Sequence, residues 1–285
     1  MRGTTNSEKP LDGIAEGASL FLVGLFKKVA LADFLAMYVD RVFENPSGFQ
    51  SLTLLAATYA FTWQIYFDFS GYTDMARGCA RMLGFRLMLN FNNPYLSTGL
   101  GEFWQRWHIS LSSWFRDYIY IPLGGNRRGR GRTYTNMVLT MLIAGLWHGA
   151  AWNFVIWGGL HALGRTVTRE LERTHVYRER IPKFIKQMLV FHFVCLTWIF
   201  FRAETFGDAV SVVRGILSFV PDDPRFPVLV ILLILAIWIY QFIYESKLKR
   251  IIEVSYVRIG FAVAMILYLF FFRTSGYEVF YYFRF

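Results

Sequence analysis

The chain has 285 residues, of which 55% are hydrophobic, 19% aromatic and 18% charged, with a net charge of +10. That charged share lies below the roughly 25% usual in soluble domains, and the mean hydropathy of +0.34 arises from apolar blocks, which points to an integral membrane protein. The basic residues stand in short stretches between those blocks, as in cytoplasmic loops, which argues against nucleic acid as a partner.

The segment Met1 to Gly13 is polar and carries no secretory-signal pattern. The first apolar block, Ile14 to Tyr38, is interrupted by Lys27 and Lys28. Two lysines within a span are costly, so this helix is expected to be tilted, buried against protein or partly inserted. A second block, Ser51 to Phe69, runs into Asp68, Gly71 and Asp74, where a bend in protected surroundings is expected. Cys79 and Cys195 lie far apart in apolar surroundings and fit no disulfide or zinc spacing. Both are expected to be buried.

Glu102 to Tyr120 is aromatic-rich and charged, which suits an interfacial or re-entrant helix. Along one such helix His108 would share a face with Trp104, Leu111 and Phe115. Asn126 to Thr133, with four arginines, reads as a cytoplasmic loop. Tyr134 to Trp147 and Ala150 to Leu163 are apolar arms of about 20 Å at roughly 1.5 Å per residue. Neither crosses a hydrocarbon core of about 30 Å, and the segment after them, Arg165 to Lys186, is again basic. The simplest geometry is a helical hairpin that enters and returns, with His148 at its deep turn. Plausible spans follow at Met188 to Phe201, Val228 to Tyr244 and Ile259 to Phe272, separated by Arg202 to Pro227 and the basic Lys247 to Arg250. The pattern predicts an all-α integral membrane bundle, one domain over residues 1–285.

His148 is the sharpest candidate for chemistry. An ionisable group at membrane depth is a functional candidate by default. A buried neutral imidazole is a competent base, and Gly145 and Gly149 allow close approach. The plainer reading is a histidine that hydrogen-bonds two helices. His108 alone reads as packed among aromatics, His161 as packing or interfacial, His175 as solvated and His192 as a structural hydrogen bond. Asp68 and Asp74 could hold a metal, orient a histidine or cap a helix; with no further ligand cluster a metal is weakly supported, and a structural or orienting role is preferred. Arg116 and Asp117 could pair locally. Arg127, Arg128, Arg130 and Arg132 could hold a phosphorylated donor or merely set topology. Trp147 and Asn153 flank His148 as further orienting candidates. No P-loop, dinucleotide fingerprint, nucleophile elbow or HExxH pattern occurs.

Four stretches carry a resemblance. Phe103-Trp104-Gln105-Arg106-Trp107-His108-Ile109-Ser110-Leu111-Ser112, Arg116-Asp117-Tyr118-Ile119-Tyr120-Ile121-Pro122-Leu123-Gly124-Gly125-Asn126, Gly145-Leu146-Trp147-His148-Gly149 and Tyr66-Phe67-Asp68-Phe69-Ser70-Gly71-Tyr72-Thr73-Asp74 resemble the membrane-bound O-acyltransferase (MBOAT) family. The likeness is strongest to its bacterial branch of alginate O-acetyltransferase membrane subunits. It extends from Gly24-Leu25-Phe26-Lys27-Lys28 to the closing Tyr282-Phe283-Arg284-Phe285. Family members carry further N-terminal spans, so the resemblance implies the C-terminal part of such a fold, a multi-helix bundle around a central tunnel.

It also implies acetyl transfer from a thioester, acetyl-CoA, to a hydroxyl of an extracytoplasmic polysaccharide or relay protein, at a bacterial inner membrane. His148 matches the family's catalytic histidine and His108 the second histidine of the bacterial branch. His148 would be the base, and His108 would orient the donor or polarise its carbonyl. No bound cofactor or metal is implied. Two rival readings are D-alanyl transfer from a carrier protein to teichoic acid, and a non-catalytic channel or scaffold.

Overall fold

A computed structural model describes residues 10–220 and 227–272 of the chain. Among these residues the regular elements are all helical: α1 (Pro10–Phe26), α2 (Asp33–Phe43), α3 (Ser51–Met82), α4 (Leu100–Arg106), α5 (Ile109–Phe115), α6 (Gly129–His148), α7 (Trp152–Leu171), α8 (Lys183–Arg202), α9 (Phe206–Leu217), α10 (Val228–Glu245), α11 (Lys249–Ile252) and α12 (Ser255–Phe271). α8 and α10 are long and apolar enough to cross a membrane, and α12 is a shorter apolar helix. These three cover the spans expected from sequence. Leu229, Leu232 and Ile239 of α10 are exposed, an apolar face suited to lipid. The closing Tyr282–Phe285 stretch lies outside the described residues.

The chain forms two compact units. The first takes the chain up to Ala36, Trp63–Leu89 and the chain from Leu235. Here α1 packs against the second half of α3. A methyl on Gly24 would lie 2.5 Å from the Gly71 carbonyl oxygen, and one on Gly71 would lie 2.7 Å from that of Gly24. The two backbones therefore touch, as small residues allow between membrane helices. Between α1 and α2 the chain widens into a π-helical stretch, Lys27–Ala32. It carries Lys28 to Asp33 at 2.8 Å and to Asp68 at 2.7 Å, and Lys27 to Asp74 at 2.7 Å. The two lysines that interrupt the first apolar block are thus packed against protein and paired, Lys28 buried and Lys27 partly so.

The stretch Asp68–Asp74 does not interrupt α3, which continues as one helix to Met82. The lysines pair with both carboxylates, and Gly71 serves helix contact, so nothing forces a break. The expectation for Cys79 is corrected. Cys79 is exposed while Cys195 is buried, because Gly78 beside it is the residue that faces α1.

The second unit takes Met37–Thr62 and Asn90–Ile234. Its core is aromatic, with Phe103, Trp107, Trp157 and Trp198 at most 2% exposed. The buried turn Pro94–Leu96 is tied on several sides. Tyr95 donates its hydroxyl to the Thr62 carbonyl (2.6 Å), and Gln187 donates to that of Leu96 (2.8 Å). Arg202, at the end of α8, pairs with Asp40 at 2.7 Å. The connector after α8 contains α9. Its start is a reciprocal cap in which the Thr205 hydroxyl accepts from Asp208 N–H and Asp208 accepts from Thr205 N–H.

α6 and α7 form the expected hairpin, turning at residues 149–151. α6 begins at Gly129, inside the stretch read as a loop, with the Thr133 hydroxyl bonded to the Gly129 carbonyl (2.8 Å). A methyl on Gly145 would collide with the Phe154 carbonyl oxygen, and one on Gly158 with that of Met141. The arms touch backbone to backbone there, one turn before His148.

Candidate active site

His148 is the last residue of α6 and is 7% exposed. Its ring stands edge-on to Trp147 (4.9 Å between centroids), Phe201 (5.0 Å) and Trp157 (5.2 Å). These rings fix the imidazole plane. Trp147 is itself 53% exposed. Asn153 donates its amide to the Ala203 carbonyl at 2.8 Å, so it ties the start of α7 to the end of α8.

Glu102 to Tyr120 is not one helix. α4 ends at Arg106, α5 begins at Ile109, and Arg116–Tyr120 is a π-helical turn. His108 lies at the break with φ +40°, the left-handed region, a conformation that costs a non-glycine residue about 1–3 kcal/mol. Asn90 stabilises the break. Its carbonyl accepts from Ile109 N–H and its side-chain oxygen from Ser110 N–H, both at 3.0 Å. The first donors of α5 are thus satisfied from outside, and α4 need not continue. The common helical face expected for Trp104 and His108 does not exist. His108 instead lies parallel to Phe91 (6.4 Å).

A cavity of about 390 Å³ opens beside His148. α6 lines it with Met137, Thr140, Met141, Ala144 and His148, positions three and four apart on one face. α7 contributes Trp157, Arg165 and Arg169, and the α4–α5 segment contributes Trp104, Ser112, Phe115 and Arg116. From Met137 to His148 is eleven residues, about 16 Å along the helix at roughly 1.5 Å each. Arg169 reaches Met137 Sδ at 3.6 Å, so the arginines of α7 flank the end away from His148. Sequence reasoning reads Arg165 and Arg169 only as topology signals, although their spacing of four, and of eight from Trp157, places all three on one face.

Arg116 also lines the cavity and holds Asp117 through two contacts of 2.7 and 3.1 Å. That hydrogen-bonded pairing lowers the Asp117 carboxyl below its ordinary range. Arg127, Arg128, Arg130 and Arg132 are exposed and are not among the cavity's lining residues. Asp68 and Asp74 belong to the first unit, where they pair with Lys28 and Lys27. Among the described residues no group of three or more His, Cys, Asp or Glu converges as a metal site would require.

The remaining histidines have structural settings. His161 is fully buried, with Nε2 3.0 Å from the Thr197 hydroxyl. His192 Nδ1 donates to the Met188 carbonyl at 2.7 Å. His175 is exposed, 3.2 Å from Glu179.

Residues 13–207 match the membrane-bound O-acyltransferase (MBOAT) family. The chain belongs to that family. The family profile thus spans the α6–α7 hairpin, the broken α4–α5 segment and the cavity between them. A probable alginate O-acetylase of Azotobacter vinelandii is 46% identical over 212 residues, 73% of this chain and 41% of the relative. A peptidoglycan O-acetyltransferase of Helicobacter pylori is 40% identical over 206 residues, 72% of this chain and 39% of the relative. A teichoic acid D-alanyltransferase of Streptococcus thermophilus is 28% identical over 173 residues, 57% of this chain and 42% of the relative. The chain therefore spans about two fifths of the length of these curated relatives.

Proposed function

We propose that this MBOAT chain carries the acyl-transfer centre of a membrane O-acyltransferase. It moves an acetyl group from a thioester, acetyl-CoA, to a hydroxyl on an extracytoplasmic polysaccharide or an acetyl-relay protein. The observation that carries this reading is the cavity, with His148 at one end and Arg165 and Arg169 toward the other. Guanidinium groups suit the phosphates of the donor, and the positive-inside rule sets that end toward the cytoplasm. His148 takes the proton of the acceptor hydroxyl as its oxygen attacks the thioester carbon, then returns that proton to the departing thiol. His108, held at the helix break, orients the donor. A thioester is already activated, so positioning and proton removal supply much of the acceleration. The names of the acetylase relatives support an acetyl group and a polymer acceptor, and the setting is a multi-pass protein of a bacterial inner membrane.

The test is polymer O-acetylation in cells lacking their own acetylase, using the longest reading frame that contains this chain and its His148→Ala variant at matched membrane abundance. Acetylation lost with His148 is the expected result. Acetylation that survives the substitution overturns the base role. D-alanine incorporation without acetylation points to the carrier-protein reaction, and no His148-dependent transfer of either kind points to a channel or scaffold.

A further inference from the structure

Three tryptophans of the second unit bury indole N–H groups that meet no acceptor among the described protein atoms: Trp104, Trp157 and Trp198. An indole nitrogen can only donate. A buried donor left unpaired costs about 1–3 kcal/mol, and such a group calls for an explanation. None of the three nitrogens is open to solvent, so bulk water does not satisfy them.

Position separates the three. Trp104 and Trp157 line the cavity and Trp198 does not. The Trp157 ring stands 5.2 Å from His148, and Trp104 stands edge-on to Trp157 at 5.8 Å. One internal acceptor lies close by, because His161 Nδ1 is also buried without a partner and its ring is 4.8 Å from Trp157 and 5.0 Å from Trp104. The Thr197 hydroxyl donates to the Val194 carbonyl at 2.8 Å. Its single proton is then spent, so His161 Nε2–H donates to Thr197, which leaves Nδ1 as a bare acceptor. Trp104 and Trp157, both in the wall that lines the cavity, thus carry two buried indole donors that meet no acceptor among the described residues.

We infer that the indole N–H groups of Trp157 and Trp104 receive the carbonyl oxygen of the acyl donor and carry its negative charge in the tetrahedral state. This rests on the acyl-transfer reading above. The acceptor hydroxyl oxygen bonds to the thioester carbon while His148 takes its proton. The carbonyl π pair moves onto oxygen and is met by the two N–H groups. The pair then returns, the C–S bond breaks, and the thiolate leaves with the proton held by His148, giving an ester and a thiol. Seating the oxygen requires a small turn of the rings toward the cavity, the tightening that catalytic hydrogen bonds undergo once substrate is bound. Donors held dry are the effective ones, since removal of one such group costs about 10²–10³ in kcat.

The test uses the full-length protein in nanodiscs, with acetyl-CoA as donor, a soluble mannuronate oligomer as acceptor and thiol release as the signal. Trp157→Phe and Trp104→Phe keep a ring and remove the N–H. The expected result for Trp157→Phe is a fall in kcat of about 10²–10³, with KM for acetyl-CoA unchanged within about threefold; Trp104→Phe falls in the same sense. Trp198→Phe, which removes an equally buried N–H away from the cavity, stays within about threefold of wild type. Unchanged kcat in Trp157→Phe, or an equal fall in Trp198→Phe, overturns the inference. So does a loss of stability without loss of kcat, which would mean that the N–H groups close onto His161.

A second measurement needs no variant. In wild-type protein with ¹⁵N-indole tryptophan, an acetyl-CoA analogue with methylene in place of sulfur moves two indole N–H resonances, and ethyl-CoA, which lacks the carbonyl, moves neither. Equal response to both ligands overturns the carbonyl contact. Wild type that releases no thiol above a His148→Ala control overturns the acyl-transfer reading itself, a result distinct from loss in the tryptophan variants alone.

Discussion

Gly145 of α6 lies so close to Phe154 of α7 that a single methyl group would strike the Phe154 carbonyl oxygen. Three residues later α6 ends at His148. Gly145→Ala therefore forces the two arms apart at the crossing nearest the histidine. Overpacking of this kind costs about 1–3 kcal/mol. The activity loss is expected to exceed what the drop in folded protein explains, because the shift reaches His148 directly. Thermal unfolding in detergent and turnover per folded molecule, measured together, check this. Gly159→Ala is the control, since a methyl there meets only the Leu142 side chain at 3.9 Å.

Lys28 is the shared partner of Asp33 and Asp68, and all three side chains are under 10% exposed. Lys28→Met leaves two buried carboxylates facing each other, and a broken buried pair costs about 3–5 kcal/mol. The expected outcome is a large fall in folded, membrane-extracted protein. Adding Asp68→Asn to Lys28→Met should recover part of it. An unfolding temperature unchanged in the single variant would refute the pairing as a stabilising element.

Asn90 supports the break that carries His108. Asn90→Ala removes the side-chain acceptor of Ser110 N–H, a cap-like bond worth about 0.5–2 kcal/mol. Its carbonyl still accepts from Ile109, so the break loosens without closing. If His108 orients the donor, KM for acetyl-CoA should rise more than kcat falls. A pure kcat effect would place His108 in the chemical step instead.

Glu102 predicts a pH effect on stability. Burial raises its carboxyl, but the Thr98 N–H and hydroxyl, at 2.7 and 2.9 Å, and Arg106 outweigh burial and hold it below the ordinary range. A carboxyl depressed in the folded state stabilises at pH above its unfolded value, roughly 4.3, and that stabilisation fades as pH falls through the folded value. Glu102→Gln should therefore be less stable than wild type near neutrality, by under about 1 kcal/mol for so exposed a site. The gap should close in acid. A gap that is constant with pH would show that the carboxylate charge is not what matters.

Apolar blocks, their basic separators and the placement of His148 between two short arms were legible in the amino-acid sequence, because hydropathy and helix length are local properties. They were enough to mark α8, α10, α12 and the hairpin of α6 and α7, and the four motifs were enough to mark the family. The cavity was not legible. Trp104, Trp157 and Arg169 are separated by up to 65 residues, and only the packing of α4, α6 and α7 brings them to one wall. The break at His108 was hidden because its support, Asn90, lies 18 residues earlier in an irregular stretch. Asp68 and Asp74 read as a possible site until Lys28 and Lys27 of α3's neighbour in the first unit took up their charge. Local periodicity states which residues are apolar and helical; which donors, charges and rings meet is decided by contacts between elements, and those form only when the chain has folded.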